Sequence, residues 1–284
     1  MMDQLPVPTS PEEQLMALRT SRRAAADRPP GNRSFLRTVT VAGTALVLLL
    51  AASTPALAAP PMQLPGNAEA VESKWQPAYD YDPDGCYPTP AIGPSGEING
   101  GLKPTGPLHG GCHDVSDLNN TNGYARHKCN NGWCAIAYAL YFEKDQAVPY
   151  IPIGGHRHDW EHVVVWVHDD VAEYVATSAH GDFVIQPSSK VRWSGNHPKV
   201  VYHKDGLGTH AFRLANGGDE PPENASGAWQ QPVLVGWNGY PSAGIRDTLS
   251  TYDFGSAHFG LKDSSFVGLI TEAMPPGIAF DPAA

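Results

Sequence analysis

Residues 154–162 read Gly154-Gly155-His156-Arg157-His158-Asp159-Trp160-Glu161-His162: three histidines, two carboxylates and an arginine within nine positions. A β-branched run, Val163-Val164-Val165-Trp166-Val167, follows directly. Ionisable groups this dense beside a core-forming segment are costly to bury unless something binds them, and a metal ion is the simplest candidate. The chemistry depends on the backbone. On a helix, His158 and His162 would share one face and grip zinc with Glu161 as base, the inverted HxxEH signature of a zinc hydrolase. On a strand, side chains alternate, so Asp159 and Glu161 point to one face while Trp160 and His162 point to the other. His156 then joins the carboxylates from the preceding turn. That oxygen-rich set suits a hard cation, Mg²⁺ or Ca²⁺. The flanks favour the strand: Pro149 and Pro152 stand upstream, two glycines lead in, and four valines follow within five residues.

The surrounding elements must hold this run in place. Gly and Pro together make 56 of 284 residues, and helical periodicity is scarce, so short strands joined by turns are expected. Strands are predicted at 133–142, 161–168, 174–178, 182–185, 199–203, 211–214 and 231–237, with helices at 245–250 and 264–273. Residues 80–127 are dominated by Gly, Pro, Asn and Asp and read as a loop-rich region. Within it Asp80, Asp82 and Asp84 alternate, but no glutamate follows at EF-hand spacing, so a solvated loop is preferred to a second calcium site. The result is a single mainly β domain with a few peripheral helices.

The N-terminus reads as a targeting segment. Arg33 and Arg37 precede an apolar stretch, 39–52, that is short for a membrane span, and Ala56-Leu57-Ala58 fits a signal-peptidase site. Residues 1–58 are therefore expected to be a signal peptide with a long N-region, 59–74 a loose leader, and 75–284 the folded domain of a secreted, extracellular protein. The first 58 residues carry six Lys/Arg and four Asp/Glu, leaving 13 basic and 25 acidic groups, a formal net charge of −12. Such a chain repels nucleic-acid phosphates and anionic membranes. Contact with a membrane would require recognition of a particular headgroup. Cys86, Cys112, Cys129 and Cys134 read as two disulfides, with three pairings open and Cys86–Cys112 plus Cys129–Cys134 the most local.

Several motifs carry a family resemblance. They are 135–145 followed by Gly155-His156-Arg157-His158-Asp159-Trp160-Glu161, with Asp84-Gly85-Cys86-Tyr87-Pro88, Ser178-Ala179-His180-Gly181 and the ending 254–280. This stretch resembles the necrosis- and ethylene-inducing-peptide-like proteins, whose hallmark is the GHRHDWE heptapeptide. The resemblance covers about 75–282. It departs at Phe142-Glu143-Lys144-Asp145, where the best-known pattern has proline second, and in a longer segment between Asp145 and His156. It implies a single-domain β-sandwich with a few peripheral helices, similar to actinoporins and fungal lectins. It implies a non-enzymatic cytolysin that binds plant glycosyl inositol phosphoryl ceramide through a divalent cation. By motif position the ligands would be Asp145, His156, Asp159 and Glu161; the strand reading, with His156 from the preceding turn, points independently to the last three. Arg157, His158 and His180 are candidate headgroup or outer-sphere residues, with Arg157 and His158 equally able simply to hold the turn by hydrogen bonds. The four cysteines match the two-disulfide subgroup. A monomer in solution is expected, and a non-toxic lectin-like binder on the same fold is the leading alternative. His162 and His210 are expected to be structural histidines.

Overall fold

The computed structural model describes residues 59–151 and 153–284. The expected signal peptide, 1–58, lies outside the described residues. The elements in chain order are helix α1 (Ala70–Lys74), strands β1 (Ala78–Tyr81), β2 (Asn122–Asn130), β3 (Trp133–Asp145), β4 (His156–His168), β5 (Val171–Ala179), β6 (Asp182–Pro187), β7 (Trp193–Ser194), β8 (His197–Lys204), β9 (His210–Leu214) and β10 (Val233–Gly236), then helices α2 (Ala243–Thr251) and α3 (Asp263–Glu272).

Six strands form one sheet in the order β10-β2-β3-β4-β5-β6, antiparallel except for the β10–β2 pair. The second sheet is β1-β8-β7 with β9 also on β8. One face of the large sheet packs on the small one through Tyr138, Leu140, Phe142, Val163 and Val165 against Tyr79, Tyr202 and Phe212. Its other face is covered by the C-terminal segment, where Leu249, Phe254, Phe266 and Ile270 meet Tyr141, Trp160, Val164 and Trp166. Burial on both faces explains why 133–142 of β3 and 163–167 of β4 lack polar alternation and read as near-continuous apolar runs. The fold is mainly β, two sheets with few helices; α2 and α3, with the C-terminal loops, form the layer that covers the second face, while α1 packs Val71 against the cluster between the sheets.

Three sequence expectations need correction. Residues 59–74 are not loose. Leu64 is fully buried, its N–H donates to the Asn122 side chain (2.7 Å), and Asn122 Nδ2 returns a bond to Leu64 O (3.0 Å). Asn67 N–H donates to Leu234 O (3.0 Å), and Glu69 and Glu72 form a capping box on α1. One apolar anchor and a reciprocal amide pair hold a segment whose composition looked like a linker.

The loop reading of 80–127 also misses β1 at its start and β2 at its end. β2 is largely polar, so periodicity does not reveal it. Its signal is the hairpin dipeptide Asn131-Gly132, with φ of 51° and 80°, joining Asn130 to Trp133. Cys129 and Cys134 face each other across that hairpin, and Cys86 pairs with Cys112. The Asp80–Asp84 stretch is not a solvated loop either. Asp80 is fully buried in β1 and accepts from the backbone N–H groups of Tyr81, Glu223 and Asn224.

Candidate metal centre

β3 ends at Asp145 and β4 begins at His156, and the two residues are register partners. They lie at the end of the sandwich where β8 and β9 of the small sheet approach. His156 is thus the first residue of a strand, not part of the preceding turn. Regular alternation would send His156 and Asp159 to opposite faces. Between them His158 takes φ = +62°, a left-handed conformation that breaks the alternation. Asp145, His156 and Asp159 consequently offer ligand atoms within 4.8 Å of one another, a group able to hold a metal ion. They line an open cavity of about 590 Å³, together with Glu161, His180 and His210.

The partners of these groups leave donors free in the right places. His156 Nδ1 lies 2.7 Å from His158 O. A carbonyl only accepts, so Nδ1 carries the proton and Nε2 keeps the lone pair a cation needs. Asp145 accepts from the His210 backbone N–H (3.0 Å to each oxygen), and its Oδ1 also accepts from His210 Nδ1 (2.7 Å). Asp159 Oδ2 accepts from the Tyr202 hydroxyl at 3.0 Å. The expected fourth ligand, Glu161, is outside the converging group. Its Oε2 is held by the Ser178 hydroxyl, which in turn accepts from His162 N–H (2.7 Å).

Electrostatics in the site run against an empty acidic cluster. Burial, then repulsion from Asp145, raises the Asp159 carboxyl to about 7. Burial, then Asp159, pushes Glu161 well above the usual carboxylate range. Burial pulls His210 down, but its hydrogen bond to Asp145 and the Asp84 carboxylate, 3.7 Å from Nε2, outweigh it and leave a pKa of about 9. Oxygen-rich donors, a lone imidazole Nε2 and like-charged buried carboxylates form a set that fits a hard divalent cation.

The other sequence-predicted residues go elsewhere. The His158 side chain is buried against Tyr141 and Phe254, and its Nδ1 lies 2.6 Å from the Tyr141 hydroxyl. Burial lowers its pKa to about 4. Arg157 Nη1 donates to the carbonyls of Gly100 and Gly101, both at 2.7 Å, and does not line the cavity. His180 sits on the rim, 3.0 Å from Asp205 Oδ2. The helical HxxEH alternative is overturned, because 158–162 is strand. Four residues of strand separate His158 and His162 by roughly 13 Å, too far for one ion. His162 Nε2 is also occupied, accepting from Gly260 N–H at 3.1 Å.

Tyr202 and His210 are the site residues that sequence reasoning missed or read as structural; no local signal marks them, because they reach Asp159 and Asp145 from the other sheet, 43 and 65 residues away. Ser178 lay within a quoted motif, but its bond to Glu161 was not foreseen.

Gly101 fixes the strained turn from outside. It has φ = +59°, and a Cβ there would lie 2.5 Å from His158 Nδ1 and 2.9 Å from Arg157 Cγ. His158 is pinned by Tyr141 and cannot yield cheaply. Gly101→Ala is therefore expected to destabilise by about 2–3 kcal/mol, as left-handed strain plus a clash, and to weaken cation binding through the His158 carbonyl. Urea denaturation and metal titration would check it; an unchanged midpoint would refute the coupling.

Residues 69–273 match the family described as "Necrosis inducing protein (NPP1)". The chain belongs to this family. The chain is 33% identical over 196 residues to NLP effector protein 10 of Phytophthora capsici, covering 67% of this chain and 77% of that protein. It superposes with a TM-score of 0.63 on NLPPya in complex with mannosamine, at 29% identity and covering 76% and 97% of the two chains. A solved non-toxic relative, HaNLP3, also gives a TM-score of 0.63, at 28% identity and 77% and 99% coverage. The architecture is the NLP toxin fold.

Proposed function

We propose that this protein is a secreted, non-enzymatic cytolysin that takes the sugar headgroup of a plant sphingolipid, glycosyl inositol phosphoryl ceramide, at its divalent-cation site and damages the membrane. The observation that carries this reading is the convergence of Asp145, His156 and Asp159 within 4.8 Å in an open cavity. The relative solved with mannosamine supports a sugar at this fold.

Asp145, His156 and Asp159 would hold the ion, with Glu161 behind them. When bound, Mg²⁺ or Ca²⁺ would neutralise the buried carboxylates and offer open coordination positions to hydroxyl oxygens of a sugar. His210 orients Asp145, Tyr202 orients Asp159, and the Ser178 hydroxyl fixes Glu161. His180, on the rim, stands where a headgroup would enter. A chain with net charge −12 over 59–284 has no general attraction for an anionic surface, so a specific cation-dependent contact answers the charge problem.

Dye release from vesicles containing the plant lipid tests the reading. Leakage is expected to require both the lipid and the divalent cation, and to stop with EDTA. Leakage indifferent to EDTA would remove the metal from the mechanism. The non-toxic relative favours a second reading, a lectin-like binder without lysis. Retained vesicle binding with no dye release would select it.

A further inference from the structure

The loop between Asp145 and His156 has a composition unlike the rest of the acidic domain. From Ala147 to Gly155 it carries no charged side chain. Val148 is 39% exposed, Tyr150 73%, Ile151 45% and Ile153 71%. Eleven large hydrophobic side chains are exposed among the described residues, and four of them crowd into these six positions. Apolar groups concentrated this way on a soluble surface mark a contact site.

The first part of the loop, 146–150, is held outward. Tyr150 has φ = +63°, and its N–H donates to Gly106 O at 2.7 Å. Gln146 Nε2 donates to Gly106 O (3.0 Å) and Val148 O (2.8 Å). Base contacts thus satisfy backbone groups of the loop, which lowers the cost of placing it in a medium without water. Gly155 lets the returning chain pass close, since a Cβ there would lie 2.7 Å from Asp145 O.

Position supplies the partner. The loop leaves from one member of the converging ligand group, Asp145, and returns at another, His156. The β8–β9 turn, which ends at His210, carries a second apolar tip in Leu207, 96% exposed. A headgroup held at the site would bring both tips to the lipid from which it projects. Tyrosine suits the interface, with its ring in the apolar zone and its hydroxyl in the headgroup layer.

We infer that the 147–155 loop is a membrane-insertion element, with Tyr150 and Ile153 entering the acyl boundary once the headgroup is engaged. This rests on the proposed headgroup reading and adds the surface that enters the bilayer. Insertion supplies the apolar attraction that the acidic surface lacks and displaces lipid beside the anchored headgroup.

The test places an environment-sensitive NBD label on Ile153→Cys and, as control, on Val171→Cys. Val171 is exposed and pairs with His168 at the opposite end of β4. Both native disulfides stay oxidised. The labelled proteins are mixed with phosphatidylcholine–sterol vesicles containing glycosyl inositol phosphoryl ceramide and Mg²⁺, some with brominated acyl chains. A blue shift and bromine quenching at 153, with neither at 171, are the expected result. Vesicle binding with a water-like label at 153 would overturn insertion and leave the headgroup reading standing. No binding by labelled or unlabelled protein would overturn both. The double variant Tyr150→Ser/Ile153→Ser is expected to melt like wild type, bind the free headgroup sugar equally, and lose about tenfold or more in leakage. A wild-type dimer in sedimentation that this variant abolishes, with leakage unchanged, would assign the loop to a second copy instead.

Discussion

Asp159→Asn is expected to abolish membrane damage while costing the fold little or nothing. Asp159 is buried, and burial plus the neighbouring Asp145 raises its carboxyl to about 7. The folded state therefore binds this proton more tightly than the unfolded chain, whose carboxyl titrates near 3.9. Cation-free stability then falls as pH rises from about 4 to about 7. Asparagine removes that loss, and its Oδ1 can still accept from the Tyr202 hydroxyl. The cation-free variant should melt at or above the wild type at pH 7.5. The cation response should move the other way. Mg²⁺ should raise the wild-type melting temperature more at pH 7.5 than at pH 5, where protons compete for Asp159, and should leave the variant unmoved. Loss of an outer-sphere partner of a metal ligand typically costs 10–100-fold, so loss of the ligand should lower leakage by about a hundredfold. Calorimetry with and without Mg²⁺, beside dye release, gives both readouts. A variant that lyses vesicles as well as wild type would remove Asp159 from the site.

Trp166→Ala is expected to have the largest effect on stability. Trp166 is fully buried on β4, its Nε1–H donates to Ala273 O at 2.8 Å, and its ring meets Phe280 edge-on at 5.0 Å. Ala273 closes α3, so this side chain is one of the points where the large sheet grips the covering helix. Truncation leaves a cavity worth about 3–5 kcal/mol and an unpaired carbonyl worth about 1 kcal/mol more. Against a usual total of about 5–15 kcal/mol, a fall of about 10 °C or more in melting temperature follows for a domain of this size. A fall under about 3 °C in a thermal melt would show that the helical layer is not integral to the fold.

The two predictions draw on features that were unequally legible. The strand at the charged run followed from local facts: glycines before it, valines after it, no helix formers around it. Strand alternation put Asp159 and Glu161 on one face, and both line the same cavity. The local pairing of the cysteines was among the open options and is the one found. The polar strand β2 was not legible from periodicity, although Asn131-Gly132 announced its hairpin. The docked segment 59–74 was misread because its composition is that of a linker while its anchor, Leu64, is a single residue.

Residue type and spacing by themselves pointed to His156, Asp159 and Glu161 as candidate ligands in a β-rich, disulfide-bearing chain, and the motif resemblance added Asp145. Tertiary structure decided how they meet. The left-handed turn at His158 brings His156 beside Asp159, and Glu161 is drawn back to Ser178. His210 arrives from β9 to hold Asp145, and Gln146 and Tyr150 prop the start of the apolar loop outward on Gly106. Side-chain alternation is a property of neighbours along one strand and is written in the sequence. Hydrogen bonds between residues dozens of positions apart depend on how the sheets stack, and only the folded chain sets that.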